Sequence, residues 1–353
     1  MKRNLKKLLA TAMVATMLLP IAACGKTEEK PATDDKAKTE NAEKTEGKKI
    51  GVFFYQFNDT YLSTVRNALK ELDDKDDSIE FIFQDAQNDQ GKQNDEIDTL
   101  LDQVDGYLVN LVDTGAAQIV LEKLKPTDKP AILFNREPDD INSYKAYDKA
   151  RFVGTKKEEA GVIQGNIISE YWNANKDTVD RNKNGKLDYV LLHGGLDNAE
   201  ANARSKYSVD TIKEAGIEVN EVGMQIANWD TEKAKQAMDA WLAKDEANID
   251  VVIANNDGMA IGAINSLKAL GYNDKDAEKH VGVFGVDATE EAKAAIEAGS
   301  MDGTVMQDGA AMAEAMYKLA KNSVEGKDYL DETEYKWDES GIAVRIPYKK
   351  FEK

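Results

Sequence analysis

Short apolar runs alternate with longer amphipathic segments from Lys48 onward. The apolar runs include residues 50–55, 81–83, 106–109, 131–134, 188–192, 251–254 and 281–284. Helix-length segments lie between them, among them residues 61–72, 156–172, 199–215, 231–243 and 290–298. Strands that alternate with helices are typical of parallel sheets with crossover connections. The pattern therefore predicts an α/β fold, and because about 305 residues are long for a single core, two α/β domains are expected.

Polar side chains follow nearly every predicted strand. They include Asn58, Asp59, Asn135, Asn255, Asn256, Asp257, Asp287, Gln307 and Asp308. Any one of them could be a helix N-cap or a turn residue. Ligands of open parallel sheets bind beyond the carboxyl ends of the strands, so the recurrence of these residues favours a shared polar cavity.

Residues 180–188 place side-chain oxygens at alternate positions around a glycine, which is typical of calcium-binding loops. The loop positions are filled by Asp180, Asn182, Asn184, Gly185 at the turn, Lys186 through its carbonyl, and Asp188. An EF-hand would continue with a carboxylate at position 12. Leu191 occupies that position, inside an apolar run, so we expect the loop to lead into a strand and to take its last ligand from elsewhere. The alternative is a polar turn without a metal.

The first 23 residues have the character of a secretory signal peptide. Basic residues precede an apolar stretch that ends in small residues, and this stretch is too short for a convincing membrane span. The sequence around Cys24 resembles a bacterial lipobox, which implies lipidation of that cysteine, multiple acyl chains and a location on the outer face of the cytoplasmic membrane. Residues 24–48 are highly charged and lack large apolar side chains, so we expect a disordered tether.

Charge and cysteine usage narrow the class of protein. The chain carries 65 acidic and 46 basic residues, a formal net charge of −19, which argues against nucleic acid as a partner. Cys24 is the single cysteine, so an intramolecular disulfide and a thiolate metal site are excluded. The two histidines, His193 and His280, lie far apart beside apolar runs and form no recognisable catalytic triad.

Several segments, in order and spacing, resemble the galactose/glucose-binding proteins of bacterial ABC importers, which belong to the type I periplasmic binding proteins. The segments are residues 87–90, 92–95, 134–138, 180–188, 250–257, 283–287 and 303–305, and the similarity runs from about residue 50 to 348. The resemblance implies two lobes, each a mostly parallel sheet flanked by helices, joined by three hinge crossings. The implied bounds are 49–155 plus 308–345 for the amino-terminal lobe and 156–307 plus 346–353 for the carboxy-terminal lobe.

The resemblance also implies a monosaccharide site between the lobes. The corresponding positions are Asp59, Tyr61, Asn135, Asn198, Glu200, Arg204, Trp229, Asn256, Asp287 and Gln307. A pyranose has two faces rich in C–H groups and a rim of hydroxyls. Aromatic rings suit the faces, whereas carboxylates, amides and a guanidinium suit the rim. For Trp229 the alternative is a tryptophan that only packs in the core.

Other implied features are a structural calcium ion and partners for transport. The remote calcium ligand falls on Asp250, where the family usually has glutamate. The expected partners are an ABC permease with its ATPase and, as a further option, a chemoreceptor, and the protein is expected to be a monomer. The sequence departs from the family at Tyr61, Asn198, Glu200 and Gln307. The hexose is therefore open, with D-galactose or D-glucose favoured.

Three alternatives belong to other classes of function or ligand. A receptor of the same fold could bind a pentose, a nucleoside or a signalling sugar. A glycosidase with paired carboxylates is less favoured, because carboxylates are abundant throughout the chain and their separation is invisible in sequence. The effector domain of a repressor is disfavoured by the signal peptide and by the lack of a helix-turn-helix segment before Ile50.

Overall fold

A computed structural model describes residues 47–138, 140–245, 248–274 and 279–352, without the side chains of residues 141 and 245. The predicted signal peptide, Cys24 and nearly all of the predicted tether lie outside the described residues. No helix of the described ranges is long and apolar enough to cross a membrane.

The described strands form two six-stranded sheets. In chain order they are β1 (Lys48–Phe54), β2 (Ile79–Asp85), β3 (Gly106–Val109), β4 (Ala131–Phe134), β5 (Ala150–Gly154), β6 (Leu187–His193), β7 (Val219–Ile226), β8 (Val251–Ala254), β9 (Gly282–Asp287), β10 (Gly303–Met306), β11 (Ala343–Arg345) and β12 (Lys349–Lys350). The first sheet has the order β11-β5-β4-β3-β1-β2 and the second the order β12-β10-β9-β8-β6-β7. All pairings are parallel except that of β10 with β12.

Helices connect and cover these strands. They are α1 (Thr60–Asp73), α2 (Gln90–Leu100), α3 (Ala117–Leu124), α4 (Lys157–Val179), α5 (Ala199–Glu214), α6 (Thr231–Asp245), α7 (Asp257–Ala269), α8 (Glu290–Glu297) and α9 (Gly309–Val324), with short 3-10 helices at Thr114–Ala116, Lys125–Thr127 and Ile141–Ala146. The predicted α/β class and two-sheet architecture are confirmed.

Each sheet is buried on both faces, as expected for parallel strands covered by helices. In β1, Val52 and Phe54 pack with Met312 and Met316 of α9 on one face of the first sheet. Phe53 points to the opposite face, where it packs with Val120 of α3. Alternate side chains of one strand thus fill two separate cores. The second sheet also has a core on each face.

Within the described ranges, the chain passes between the two sheets three times. It leaves the first sheet after β5 through Thr155, returns after β10 through Gln307 and Asp308, and leaves again between β11 and β12. We call the first sheet with α1–α3 and α9 the first lobe, and the second sheet with α4–α8 the second lobe. A backbone hydrogen bond from the N–H of Ile346 to the carbonyl of Gly154 (2.7 Å) holds the first and third crossings side by side.

Candidate ligand-binding site

One cavity lies where the carboxyl ends of strands from both sheets face each other. It is lined by Tyr55, Asp59, Tyr61, Asn135, Arg136, Asn198, Glu200, Arg204, Trp229, Asn256, Asp287 and Gln307. The space between these side chains is about 420 Å³, including its opening to solvent. The structure therefore brings together all ten residues that the sequence placed in a common site, and it adds Tyr55 and Arg136.

Three of the lining residues are also helix N-caps. Asp59, Asn198 and Asn256 cap α1, α5 and α7, and a side-chain oxygen of each accepts an N–H from the first turn at 2.8–2.9 Å. The capping bond fixes each side chain at the end of a strand, where ligands of parallel sheets bind. These three polar residues therefore cap helices and line the cavity at the same time.

Trp229 is held in the cavity wall by its backbone and by a glycine. Its φ angle is 62°, a left-handed conformation that is uncommon for a large residue. A Cβ at Gly194 would lie 2.3 Å from the indole ring, so the ring packs directly on the backbone of that glycine. Trp229 is only partly buried and also contacts the core of the second lobe. It therefore packs in the core and lines the cavity at the same time.

The first lobe contributes a tyrosine and an arginine that sequence reasoning missed. The hydroxyl of Tyr55 donates to the carboxylate of Asp59 (2.6 Å), and the guanidinium of Arg136 lies 4.5 Å above the Tyr55 ring. Burial lowers the pKa of Arg136. Arg136 follows Asn135 just after β4, so the same signal could have found it, whereas Tyr55 lay inside the predicted apolar run 50–55 and ends up just after β1.

Tyr61 faces the cavity from the first turn of α1. Its side chain is buried, and its hydroxyl donates to the sulfur of Met312 (3.5 Å). Burial raises the pKa of Tyr61 well above its usual value. A neutral aromatic ring is thus present opposite the second lobe.

Arg204 supplies the buried positive charge of the cavity. Its Nη1 donates to the carbonyl of Asn255 (2.6 Å), and its Nη2 donates to Gln307 Oε1 and to the hydroxyl of Tyr348 (both 2.8 Å). Burial alone would lower the pKa of Arg204, but Tyr348, Glu200 and Asp287 raise it above its ordinary value. The guanidinium therefore stays charged.

Asp287 lies at the end of β9 in strained backbone, with a φ angle of 131°. One carboxylate oxygen is 3.7 Å from Arg204 Nη1. Burial raises the pKa of Asp287 well above its usual range, and the neighbouring buried Asp257 raises it further. Strain of this kind persists where the surrounding structure enforces it, often at functional sites.

Glu200 lines the cavity, but hinge residues occupy both of its oxygens. The hydroxyl of Thr155 donates to Oε1 (2.6 Å), and the hydroxyl of Tyr348 donates to Oε2 (3.1 Å). Thr155 and Tyr348 belong to the first and third crossings. Both carboxylate oxygens of Glu200 therefore already accept hydrogen bonds from other side chains of the protein.

Several lining residues present buried polar atoms to this cavity. Arg136 Nε, Arg204 Nε, Asp287 Oδ2 and Gln307 Nε2 have no hydrogen-bond partner among the described residues. Buried polar atoms in folded proteins almost always have a partner, which can be a ligand or a water molecule. Three donors and one carboxyl oxygen around one cavity fit a ligand that both donates and accepts hydrogen bonds.

The predicted metal loop connects α4 to β6 and is folded around its own side chains. The carboxylate of Asp180 accepts the N–H groups of Asn184 (3.0 Å) and Gly185 (2.9 Å). The side-chain amides of Asn182 and Asn184 both approach Oδ2 of Asp188, at 2.7 and 2.8 Å. Three of the predicted ligands thus converge on one point.

Lys186 and Asp250, the remaining two of the six predicted ligands, have further partners. The side chain of Lys186 pairs with Glu218, and its N–H donates to Asn184. Asp250 accepts the N–H groups of Asp188 (3.0 Å) and Arg181 (3.3 Å), and burial raises its pKa to about 6. The described residues contain no group of three or more His, Cys, Asp or Glu side chains arranged to hold a metal ion.

Known proteins of one family match most of the chain. A family described as periplasmic binding protein domain matches residues 50–328. The D-galactose/methyl-galactoside binding periplasmic protein MglB of Haemophilus influenzae is 37% identical over 302 residues, covering 85% of this chain and 88% of the relative. A protein of Rhizobium meliloti named for rhizopine binding is 33% identical over 290 residues, covering 80% and 87%.

A solved structure agrees with these relatives. An ABC transporter solute-binding protein of Bacillus halodurans with bound myo-inositol superposes with a TM-score of 0.71 at 27% identity, covering 87% of this chain and 95% of the other. The chain therefore belongs to the periplasmic binding protein family. Proteins of this family are solute-binding components of transport and not enzymes, so the glycosidase alternative is set aside.

Proposed function

We propose that this protein captures a monosaccharide, with D-galactose or D-glucose favoured, in the cavity between its lobes and delivers it to an ABC importer. The relative from Haemophilus influenzae, which is named for D-galactose and methyl-galactoside, supports the hexose. The partners would be the permease of the importer and its ATPase. A chemoreceptor could read the same ligand-bound form.

The observation that carries this proposal is the set of unpaired buried atoms around the cavity. Arg204 Nε and Gln307 Nε2 would donate to sugar hydroxyls, and Asp287 Oδ2 would accept from one. A hydroxyl can do both, and hydrogen bonds to charged groups contribute about 1.5 to 3 kcal/mol each. Trp229 and Tyr61 would contact the apolar faces of the ring.

Two departures from the family bear on which sugar binds. Asn198 uses its side-chain oxygen to cap α5, and Glu200 uses both carboxylate oxygens for hinge residues. Fewer acceptors are then open to the ligand at this corner than the resemblance alone implies. The hydroxyl nearest Asn198 and Glu200 is the one at which we expect the selectivity to differ from that of the relatives.

Titration calorimetry against a panel of monosaccharides tests the proposal. We expect binding of D-galactose or D-glucose, and weaker binding of pentoses, which lack one hydroxymethyl group. Trp229→Leu should weaken binding by about tenfold or more, because it removes an aromatic face worth roughly 0.5 to 1.5 kcal/mol together with its buried area. Trp241→Leu is the matched control, since Trp241 lies on α6 and does not line the cavity.

The alternatives give different results in the same titration. Tight binding of a pentose, a nucleoside or a signalling sugar, with no heat from either hexose, would assign the protein to another ligand within its family. An absence of binding across the whole panel would refute the monosaccharide proposal.

A calcium ion in the loop of residues 180–188 is a second part of the proposal. Asp180, Asn182, Asn184, Asp188 and the carbonyl of Lys186 supply the oxygens that calcium prefers, and Asp250 lies beside the loop. The amide groups of Asn182 and Asn184 would present their oxygens by rotating, because the two ends of a carboxamide have the same shape. The calcium ion would have a structural role and no catalytic one.

A lipid anchor at Cys24 is the third part. Lipidation there would hold the protein on the outer face of the cytoplasmic membrane. If the charged segment between Cys24 and Lys48 is a flexible chain, its length gives a reach of about 27 Å, which charge repulsion would extend. The binding lobes could then stay close to a permease without being inserted in the membrane.

A further inference from the structure

The side chain of Tyr348 links the crossings between the lobes to the cavity. Tyr348 lies in the third crossing and is buried, and its hydroxyl is close to three polar groups. Those groups are Arg204 Nη2 at 2.8 Å, Glu200 Oε2 at 3.1 Å and Thr155 Oγ1 at 3.2 Å. Tyr348 therefore contacts another crossing as well as two residues that line the cavity.

Only one assignment of protons lets both oxygens of Glu200 accept. Thr155 has a single hydroxyl proton, and its shorter contact is to Glu200 Oε1 (2.6 Å). The phenol of Tyr348 then donates to Glu200 Oε2 and accepts from Arg204. The phenol oxygen thus separates a buried anion from a buried cation, whose nearest charged atoms are 3.7 Å apart.

The second crossing joins the same network through Arg204. The two protons of Arg204 Nη2 go to Tyr348 and to Gln307, which lies in that crossing. The guanidinium of Arg204, which also lines the cavity, thus contacts the second and third crossings directly, and Tyr348 extends the network to Thr155 of the first. Arg204 Nε has no hydrogen-bond partner among the described residues.

We propose that Tyr348 is a positioning residue, which holds Arg204 in its ligand-binding orientation and couples that orientation to the angle between the lobes. Without the phenol oxygen, Glu200 and Arg204 would move toward each other, because a buried charged group left without its hydrogen bond seeks another partner. Arg204 would then leave the ligand, and the crossings would lose their common contact. The proposal rests on sugar binding as the function of the cavity.

Tyr348→Phe removes only the phenol oxygen, and the chain offers a matched control. In Tyr317→Phe another hydrogen-bonded hydroxyl is lost, since Tyr317 of α9 donates to the carboxylate of Asp76. Tyr317 and Asp76 neither line the cavity nor lie in a crossing. Thermal unfolding of both variants measures the general cost of losing a hydrogen-bonded tyrosine hydroxyl.

Two measurements on the full chain test the proposal. In calorimetry with D-galactose and D-glucose, Tyr348→Phe should weaken binding by about 10- to 100-fold, and Tyr317→Phe should leave it unchanged. The loss should appear mainly as faster dissociation in stopped-flow tryptophan fluorescence. In small-angle X-ray scattering without sugar, Tyr348→Phe should have the larger radius of gyration, because its lobes open more often.

The outcomes separate this proposal from the proposed function. Equal affinity and equal scattering for the two variants would overturn the role of Tyr348. If the wild-type protein binds neither hexose, the hexose assignment fails, but the scattering comparison still tests the link to the hinge. A loss of melting temperature without any change in affinity or scattering would leave Tyr348 a packing residue and would also overturn the proposal.

Discussion

Asp257 and Asp287 are two buried carboxylates at neighbouring strand ends. Asp257 accepts the hydroxyl of Thr304 (2.6 Å) and the N–H of Thr289 (2.8 Å). Burial raises the pKa of Asp257 to about 6, and the same cause raises that of Asp287. Because both pKa values are raised, the folded protein holds protons at pH values at which the unfolded chain has lost them.

This shift gives a pH dependence of stability with a defined sign. The favourable contribution of Asp257 is fully present below the ordinary aspartate pKa of 3.8 and is lost as the pH rises through about 6. The free energy of unfolding of the wild type, relative to Asp257→Asn, should therefore fall by about 2 kcal/mol between pH 4 and pH 6 and fall further above pH 6. Urea unfolding of the wild type and the variant at several pH values measures this difference in the free energy of unfolding.

An exposed aspartate provides the control. Asp95→Asn, on the surface of α2, should follow the wild-type pH profile. If Asp257→Asn also followed the wild-type profile, Asp257 would not be the group that binds the extra proton.

At the residue scale, local signals and resemblance found different parts of the site. Polar residues after strands indicated Asp59, Asn135, Asn256 and Asp287. Glu200 and Arg204 lie within α5, where no local pattern separates them from surface charges, so only the resemblance indicated them. Tyr348 was missed because its importance comes from contacts with residues 144 to 193 positions away in sequence.

Among the elements, the loop between α4 and β6 has an unusual concentration of internal hydrogen bonds. It includes Gly185, whose φ angle of 80° a residue with a side chain rarely adopts. Leu191 lies in β6, as its apolar surroundings predicted, so the loop leads into a strand and not into a second helix.

Metal removal tests the calcium proposal at this loop. A ligand that binds only the folded state adds about 2.7 kcal/mol at 100 times its dissociation constant, so a chelator should lower the melting temperature by several degrees. Added calcium should restore it, whereas magnesium, which needs a more rigid octahedral site, should not. Differential scanning calorimetry measures both effects.

Asp188→Asn serves as the control for that experiment, because Asp188 is the carboxylate that both asparagine amides approach. The melting temperature of this variant should not respond to the chelator. If the melting temperature of the wild type changed neither with the chelator nor with calcium, the loop would be a polar turn without a metal.

Apolar runs predicted the central strands better than the outer ones. β3, β4 and β8 begin and end at the predicted residues, since each is a short run buried on both faces. β5 was not predicted because Arg151 interrupts its apolar residues, and β7, at the sheet edge, was not predicted because polar residues break up its apolar ones. α4 extends to Val179, seven residues beyond the predicted end, because no proline or glycine stops it there.

For the whole molecule, the two lobes touch at the rim of the cleft as well as at the hinge. The hydroxyl of Thr114 in the first lobe donates to the carbonyl of Asp197 in the second (3.4 Å). A Cβ at Gly258 of α7 would lie 3.2 Å from Thr60 Oγ1 of the first lobe, so the lobes approach closely there too. A ligand that contacts both lobes would favour this closed arrangement by binding it more tightly than the open one.

The alternation of strands and helices was enough to predict the class of fold, because both periodicities are local properties of the sequence. It could not predict that β11 returns to the first sheet and β12 to the second, since these strands have three and two residues and no pattern of their own. The three crossings followed from the resemblance, and they decide which side chains meet in the cavity.

A crystal structure of the protein grown with saturating D-galactose or D-glucose would test the proposed sugar site. We expect one pyranose between the lobes, with its faces against Trp229 and Tyr61. Its hydroxyls should lie within hydrogen-bond distance of Asp287 Oδ2 and Arg204 Nε. A cavity that holds only water, or a sugar bound elsewhere on the surface, would refute the proposed function.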